Sequence, residues 1–231
     1  MRINADFDER IVVHSAEMEW INSPMAGVSR RPLDRVGTEV ARATSIVRYA
    51  PGSHFSPHVH TGGEEFLVLD GVFQDEHSDF PTGSYVRNPP NSSHTPGSQD
   101  GCIIFVKLWQ FDMEDRTHVN INTNQIQPAL HHEMKGVSVI PLYHDQFEEV
   151  DIQIWDPDSE IYISNSLGME ILVLDGSFHQ GGETLQTGSW LRLPCGSNLL
   201  AQVGEQGARI WAKHNHLGQV DAQIERVLNH C

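Results

Sequence analysis

Apolar positions in this chain come in short runs of Val, Ile, Leu, Tyr and Phe, each broken by Gly, Pro, Asn or Asp. That spacing belongs to all-β barrels or sandwiches. Two runs, Phe66-Leu67-Val68-Leu69 and Ile171-Leu172-Val173-Leu174, are apolar at every position instead of alternating, as in strands buried on both faces. One face would line the barrel and the other would pack against a sister unit or a second copy of the chain, so the pattern is compatible with a homo-oligomer. Helical periodicity is confined to the tail, where Val220, Ile224 and Leu228 recur every fourth residue and predict one short amphipathic packing helix within 218–231.

The pattern is written twice. Gly27-Val28-Ser29-Arg30-Arg31-Pro32-Leu33 returns as Gly136-Val137-Ser138-Val139-Ile140-Pro141-Leu142, and Glu65-Phe66-Leu67-Val68-Leu69-Asp70-Gly71 returns as Glu170-Ile171-Leu172-Val173-Leu174-Asp175-Gly176. Thr82-Gly83-Ser84-Tyr85-Val86-Arg87 likewise returns as Thr187-Gly188-Ser189-Trp190-Leu191-Arg192. Repeats kept in order over such a length predict a duplicated unit. The expected organisation is an amino-terminal arm (1–26), a first β unit (27–111), a polar, Asn-rich connection (112–135), a second β unit (136–217) and the helix (218–231).

Composition narrows the function classes. The 231 residues hold 15 Lys and Arg against 31 Asp and Glu, a formal net charge of −16, which repels phosphate backbones and anionic membrane surfaces and argues against direct nucleic-acid or membrane binding. No apolar run approaches the length of a membrane span and the first residues lack the apolar stretch of a signal peptide, so a cytoplasmic protein is expected. Cys102, Cys195 and Cys231 are widely spaced without a Cys-x-x-Cys pair, which predicts buried or terminal thiols and neither a disulfide framework nor a thiolate zinc knuckle.

Chemistry concentrates in one stretch, Pro57-His58-Val59-His60-Thr61-Gly62-Gly63-Glu64-Glu65, followed by Pro89-Pro90-Asn91-Ser92-Ser93-His94. On a strand, His58 and His60 point to one face and can share an ion. Gly62 and Gly63 let the chain bend so that Glu64 reaches the same ion from the next strand, and His94 completes the set from a later one. His58, His60, Glu64 and His94 are thus the candidate ligands of one divalent transition metal per chain, and such N and O donors suit Zn, Fe, Mn, Ni or Co. The second repeat places Ile163, Asn165, Met169 and Leu199 at the corresponding positions, which predicts no metal there; a hydrophobic ligand pocket in their place is the alternative. Glu65 with Glu170, Arg87 with Arg192 and Lys107 with Lys213 persist in both halves and so read as structural cross-strand pairs. His54 is expected at a strand entrance, His77 on an exposed hairpin loop and His131-His132 in solvated linker.

The residues Gly52, His58, His60, Glu64 and Gly71, then Gly83, Pro89, Asn91 and His94, resemble the two motifs of the cupin superfamily, with Asn91 where the pattern usually has Gly and Ser98 where it often has Asn. The longer run from His58 through Glu76, with Pro81 to His94, is similar to the cupin domain of ChrR-type anti-sigma factors. The resemblance implies a pair of jelly-roll-like barrels, a bicupin, with His58, His60, Glu64 and His94 binding one metal in the first, zinc first, with iron, nickel or manganese as alternatives. In that family the cupin is a zinc-binding sensor attached to an amino-terminal zinc domain that holds the sigma factor. No His-x-x-x-Cys-x-x-Cys signature of that domain occurs here, so restraint of a sigma factor does not follow. Two expectations result. One is a regulatory or binding module responding to an oxidant or small molecule and passing the change to a protein partner. The other is a metal-dependent cupin dioxygenase acting on a diketone or aromatic ketone. No catalytic group beyond the metal ligands is identified.

Overall fold

The computed structural model describes residues 1–230, so Cys231, expected as a buried or terminal thiol, lies outside the described residues. Among the described residues Cys102 is buried and Cys195 exposed, both as free thiols. Among the described residues no helix is long and apolar enough to cross a membrane.

The chain divides into two compact units. The first comprises Met1–Ala5, Met18–Gln125 and the residues from Asp221 onward; the second comprises Asp6–Glu17 and Ile126–Val220. In the first unit the main antiparallel ladder runs Val28–Gly37, Ala41–Tyr49, Cys102–Leu108, Glu64–Gln74, Ser84–Asn88 and Val119–Asn122, with Arg2–Ile3 beyond Val28–Gly37. In the second it runs Val137–His144, Glu149–Trp155, Leu199–His214, Met169–Gln180, Ser189–Leu193 and Ile11–His14. The expected all-β, jelly-roll-like architecture with one short carboxy-terminal helix is present. The ladders do not close into a continuous ring. Along the long central strands the register slips at Leu69, two residues before Gly71 (φ 73°), and at Leu174 and Ser177, on either side of Gly176 (φ 71°). A Cβ at either glycine would meet a carbonyl oxygen at 2.2 or 2.1 Å, so both positions require glycine.

Three boundaries differ from the sequence expectation. The amino-terminal arm is not a separate piece: Ile11–His14 pairs with Ser189–Leu193 and forms the edge of the second unit's sheet. The connection expected over 112–135 is also partly strand, because Val119 and Ile121 alternate with asparagines and lay an edge strand on Ser84–Asn88, while Ala129–Leu130 pairs with Val137–His144. An edge strand tolerates such polar sequence since only one side of it is paired. The helix forms over Val220–Asn229, but its buried stripe is Val220, Gln223 and Val227, and Leu228 is 55% exposed. Gln223 accepts from Arg42 Nε at 2.8 Å and donates to the Gln110 carbonyl at 3.0 Å, so a polar residue occupies the turn that apolar spacing assigned to a neighbour.

The charged residues present in both halves lie beside one another across strands. Glu65 faces Arg87 on one side and Lys107 on the other, and Glu170 faces Arg192 and Lys213 in the same way. Arg87 is 1% exposed and bonds Glu65 at 3.2 Å and Asp115 at 3.0 Å, while Tyr85 donates to Glu65 at 3.0 Å. Removing one member of such a buried pair leaves the others charged and desolvated. Arg87→Met is therefore expected to cost about 3–5 kcal/mol in denaturant unfolding.

The second unit buries a different polar group. Asp151 is 4% exposed; its Oδ2 accepts from Gln153 at 3.3 Å, lies 3.9 Å from His214 Nε2, and its Oδ1 has no partner among the described residues. Burial pushes this carboxyl up to about 7 from 3.8. Between those values the folded protein holds a proton that the unfolded chain releases, so its stabilising contribution is full below the lower value and lost as pH rises through the upper. Asp151→Asn should raise Tm by several degrees above pH 8 and leave it unchanged near pH 4, as read from thermal melts across pH.

Candidate metal centre

A small ladder carries the three imidazoles. His58–His60 pairs antiparallel with Ser92–His94, so that His94 lies opposite His58 and Ser92 opposite His60. Side chains two apart on one strand share a face, and so do directly opposed residues. All three rings therefore gather on one face, with centroids 4.7, 4.7 and 5.1 Å apart and ligand nitrogens within 4.8 Å of one another.

Glu64 approaches from the start of the long Glu64–Gln74 strand, after the bend at Gly62 and Gly63. Gly63 has φ 78°, and a Cβ there would meet the Phe111 ring at 2.5 Å. A Cβ at Gly62 would meet Trp109 at 2.1 Å. Freedom to turn and room for aromatic packing thus both require the pair. The result sets Glu64 Oε2 3.4 Å from His60 Nε2 and 3.6 Å from His94 Nε2. Asn91 stands at φ 70°, a left-handed position that asparagine tolerates, which explains how it replaces the usual glycine.

The donor set fits a transition metal. His60 and His94 face each other Nε2 to Nε2 at 2.9 Å. Two lone pairs at that distance repel unless a proton or a cation lies between them. Donors about 2.1 Å from one ion at right or tetrahedral angles stand roughly 3.0–3.5 Å apart, close to the separations found among His60, His94 and Glu64. The tautomers agree: the Ser56 carbonyl can only accept, so His58 Nδ1 donates to it at 3.2 Å and leaves Nε2 with its lone pair. Asp75 Oδ2, 3.3 Å from His94 Nδ1, orients the third ring in the same sense.

Burial sets the protonation states. His60 is lowered to about 4, first by burial and then by His58, and His94 is lowered by burial against the opposing pull of Glu64. Both rings thus stay neutral where metals bind. Burial raises the Glu64 carboxyl, opposed by His94 and by an Asn88 hydrogen bond at 3.4 Å. A cation would repay that desolvation.

A cavity of about 380 Å³ opens on His58, His60 and Glu64. Its walls are mostly apolar, from Val47, Phe55, Val106 and Leu108 among others, and Tyr49 lines it, packed edge-on against Phe55 at 5.2 Å. Burial, and then Glu64, hold the Tyr49 hydroxyl well above its ordinary range, so it stays protonated. Asp75, Asn88 and Tyr49 are the partners that motif reading missed. Asp75 lies in the hairpin loop expected to be merely exposed, where it also accepts from the backbone of His77 and Ser78. His77 is indeed exposed in that loop and His54 is exposed on its short strand.

At the corresponding ladder positions of the second unit Ile163 faces Leu199, as His58 faces His94, and Met169 occupies the place of Glu64. The three are buried in one apolar cluster. Asn165 is satisfied by the carbonyls of Pro194 and Ser197 at 3.0 and 2.9 Å.

Comparison with known proteins supports the resemblance. Residues 8–112 match the ChrR cupin-like domain family. No curated protein matches the chain. Among solved structures the chain is similar to a protein from Nostoc punctiforme described provisionally as a dioxygenase (14% identity, 91% of this chain and 84% of that one, TM-score 0.74). It is similar also to the E. coli protein YlbA (14%, 91% and 93%, 0.68) and to the bacterial pirin YhhW of E. coli in complex with nickel(II) (12%, 89% and 98%, 0.65). At such identities these likenesses establish the fold, which spans both units.

Elemental analysis should find one transition metal per chain. His60→Ala or His94→Ala should abolish it, Asp75→Asn should weaken affinity about 10–100-fold, and Asn165→Ala should change nothing.

Proposed function

We propose that this cupin chain is a metal-dependent enzyme of the oxygenase type, with its chemistry confined to the first unit. His58, His60, Glu64 and His94 would hold a single divalent transition metal, and a small organic substrate would occupy the adjoining cavity. The observation that carries this reading is the continuity of the two: His58 and His60 are at once in the three-histidine cluster and in the wall of a cavity of about 380 Å³, and Glu64, 3.4 Å from His60, lines the same wall. A purely structural metal site has no need of such a space, and the volume falls within the range of small-molecule sites.

When bound, an ion with three imidazoles and one carboxylate keeps positions open for water, dioxygen or substrate and acts on them as a Lewis acid. The remaining work falls to the chain itself. Ser56 and Asp75 fix two imidazoles with their Nε2 lone pairs inward. Phe55, Val47 and Val106 exclude water and orient an apolar substrate body. Tyr49 lines the cavity and keeps its hydroxyl protonated, which would let it donate a hydrogen bond to a substrate oxygen. Burial raises the Glu64 carboxyl, and a cation beside it would favour the charged form that serves as a ligand.

A second reading, a regulatory binding module that senses an oxidant or small molecule, draws on the match of residues 8–112 to the ChrR cupin-like domain. The two separate in one experiment. Protein purified without added metal is analysed for its metal, reconstituted with ferrous iron, and assayed for oxygen uptake with diketones, aromatic ketones and small carboxylic acids. The enzyme reading expects uptake with at least one substrate, lost in His60→Ala and reduced in Tyr49→Phe. Tightly held zinc with no uptake after iron loading would contradict it and leave the regulatory module.

A further inference from the structure

The Val28–Gly37 strand sends two arginines into the same cavity. Arg30 and Arg35 are an odd number apart and would face opposite sides of a regular strand. They share a face because the register slips between Pro32 and Asp34, where Leu33 is the extra residue. The slip aligns Arg35 with Ala43, Leu108 and Glu64 in one row across four strands, and Arg30 with Val47 and Ile104 in another. At about 4.8 Å per strand, Arg35 and Glu64 start roughly 14 Å apart on the backbone. Both arginines line the cavity whose other end holds His58, His60 and Glu64.

Neither has a carboxylate partner. Arg30 donates to Ser23 Oγ at 2.6 Å, and Arg35 to the Thr38 carbonyl. No acid stands within ion-pair reach of either among the described residues, in a chain with 31 acidic side chains against 15 basic ones. Glu39 lines the same cavity from an exposed turn without pairing to them. Buried arginines of this fold do find acids, as Arg87 finds Glu65 and Asp115. Arg30 also disfavours the charge of Arg35, which is lowered by burial and then by Arg30. An anion between them would relieve both effects.

The two arginines follow the metal ligands in a further respect. At the ladder position of Arg30 the second unit has Val139, opposite Gln153, and at that of Arg35 it has His144, opposite Glu149. Where the donor set is replaced by Ile163, Met169 and Leu199, the guanidinium pair is replaced as well. Glu65, Arg87 and Lys107, which serve the sheet, have charged counterparts in both units.

We propose that the cavity binds a small organic carboxylate with an apolar body, its carboxylate held by Arg30 and Arg35 and its other end turned toward the metal site. The proposal rests on the metal-dependent reading above for the role of that second end. Val47, Val106 and Leu108 would contact the body between the two. The specificity is electrostatic: a neutral analogue of equal shape leaves both guanidiniums unpaired.

Benzoate and its neutral isostere benzamide test this by calorimetric titration of zinc-loaded protein. Benzoate should bind at least tenfold more tightly than benzamide. Arg30→Gln and Arg35→Gln should each weaken benzoate tenfold or more without changing benzamide affinity or zinc content, while Arg30→Lys and Arg35→Lys, which keep the charge, recover part of the loss. Equal binding of the two probes, no binding of benzoate, or benzoate affinity indifferent to both glutamine variants would overturn the proposal. If the protein retains no zinc, the metal reading fails on its own. An arginine-dependent preference for benzoate in the metal-free protein would still sustain the anion site, and its absence there would refute it.

Discussion

Two imidazoles, His60 and His94, and the Glu64 carboxylate, all withdrawn from water onto one point beside the exposed His58, form the constraint around which the first unit is built. Isolated, each of these groups would be disfavoured by burial, and the 2.9 Å approach of His60 Nε2 to His94 Nε2 sets lone pair against lone pair. Much of the local sequence serves that arrangement. Gly62 and Gly63 make room for Trp109 and Phe111, whose rings back the bend that delivers Glu64. Trp109 itself sits at φ 61°, a conformation unusual for a bulky residue, which locates backbone strain directly behind the carboxylate.

The second unit carries apolar side chains at the corresponding ladder positions. Ile163, Met169 and Leu199 pack into the apolar cluster where the donors stood, and Asn165, at the position of His60, is satisfied by backbone carbonyls. Polar character has moved to Asp151, Gln153 and His214, on the strands that line the cavity in the first unit. The cross-strand Glu, Arg and Lys set is common to both units, which separates residues that maintain the sheet from residues that meet a ligand. By that criterion Arg30 and Arg35 fall with the ligand site.

Much of this was legible in the sequence because the signals were local. His-x-His on a strand, a Gly-Gly bend before an acid and a histidine after a proline-rich turn each specify side-chain direction over a few residues. The repeat supplied the contrast that set Glu65 and Arg87 apart from Glu64 and His94. What escaped depends on register and on contacts distant in sequence. Asp75 reaches His94 across a hairpin, and Arg35 joins Arg30 on one face only because of a bulge at Leu33. The edge strand at Val119–Asn122 was obscured by its asparagines, and the strand Ile11–His14 pairs with residues far along the chain. The helix stripe shifted because Gln223, a polar residue, has buried partners in Arg42 and Gln110 that periodicity alone does not reveal.

The central claim is that one ion is held by imidazoles of the first unit together with Glu64. X-ray absorption at the edge of the bound metal reads this coordination directly. The account predicts multiple-scattering features of three imidazoles with a first shell of nitrogen and oxygen only, falling to two imidazoles in His58→Ala. Sulfur in the first shell, or fewer than three imidazoles in the unaltered protein, would contradict it.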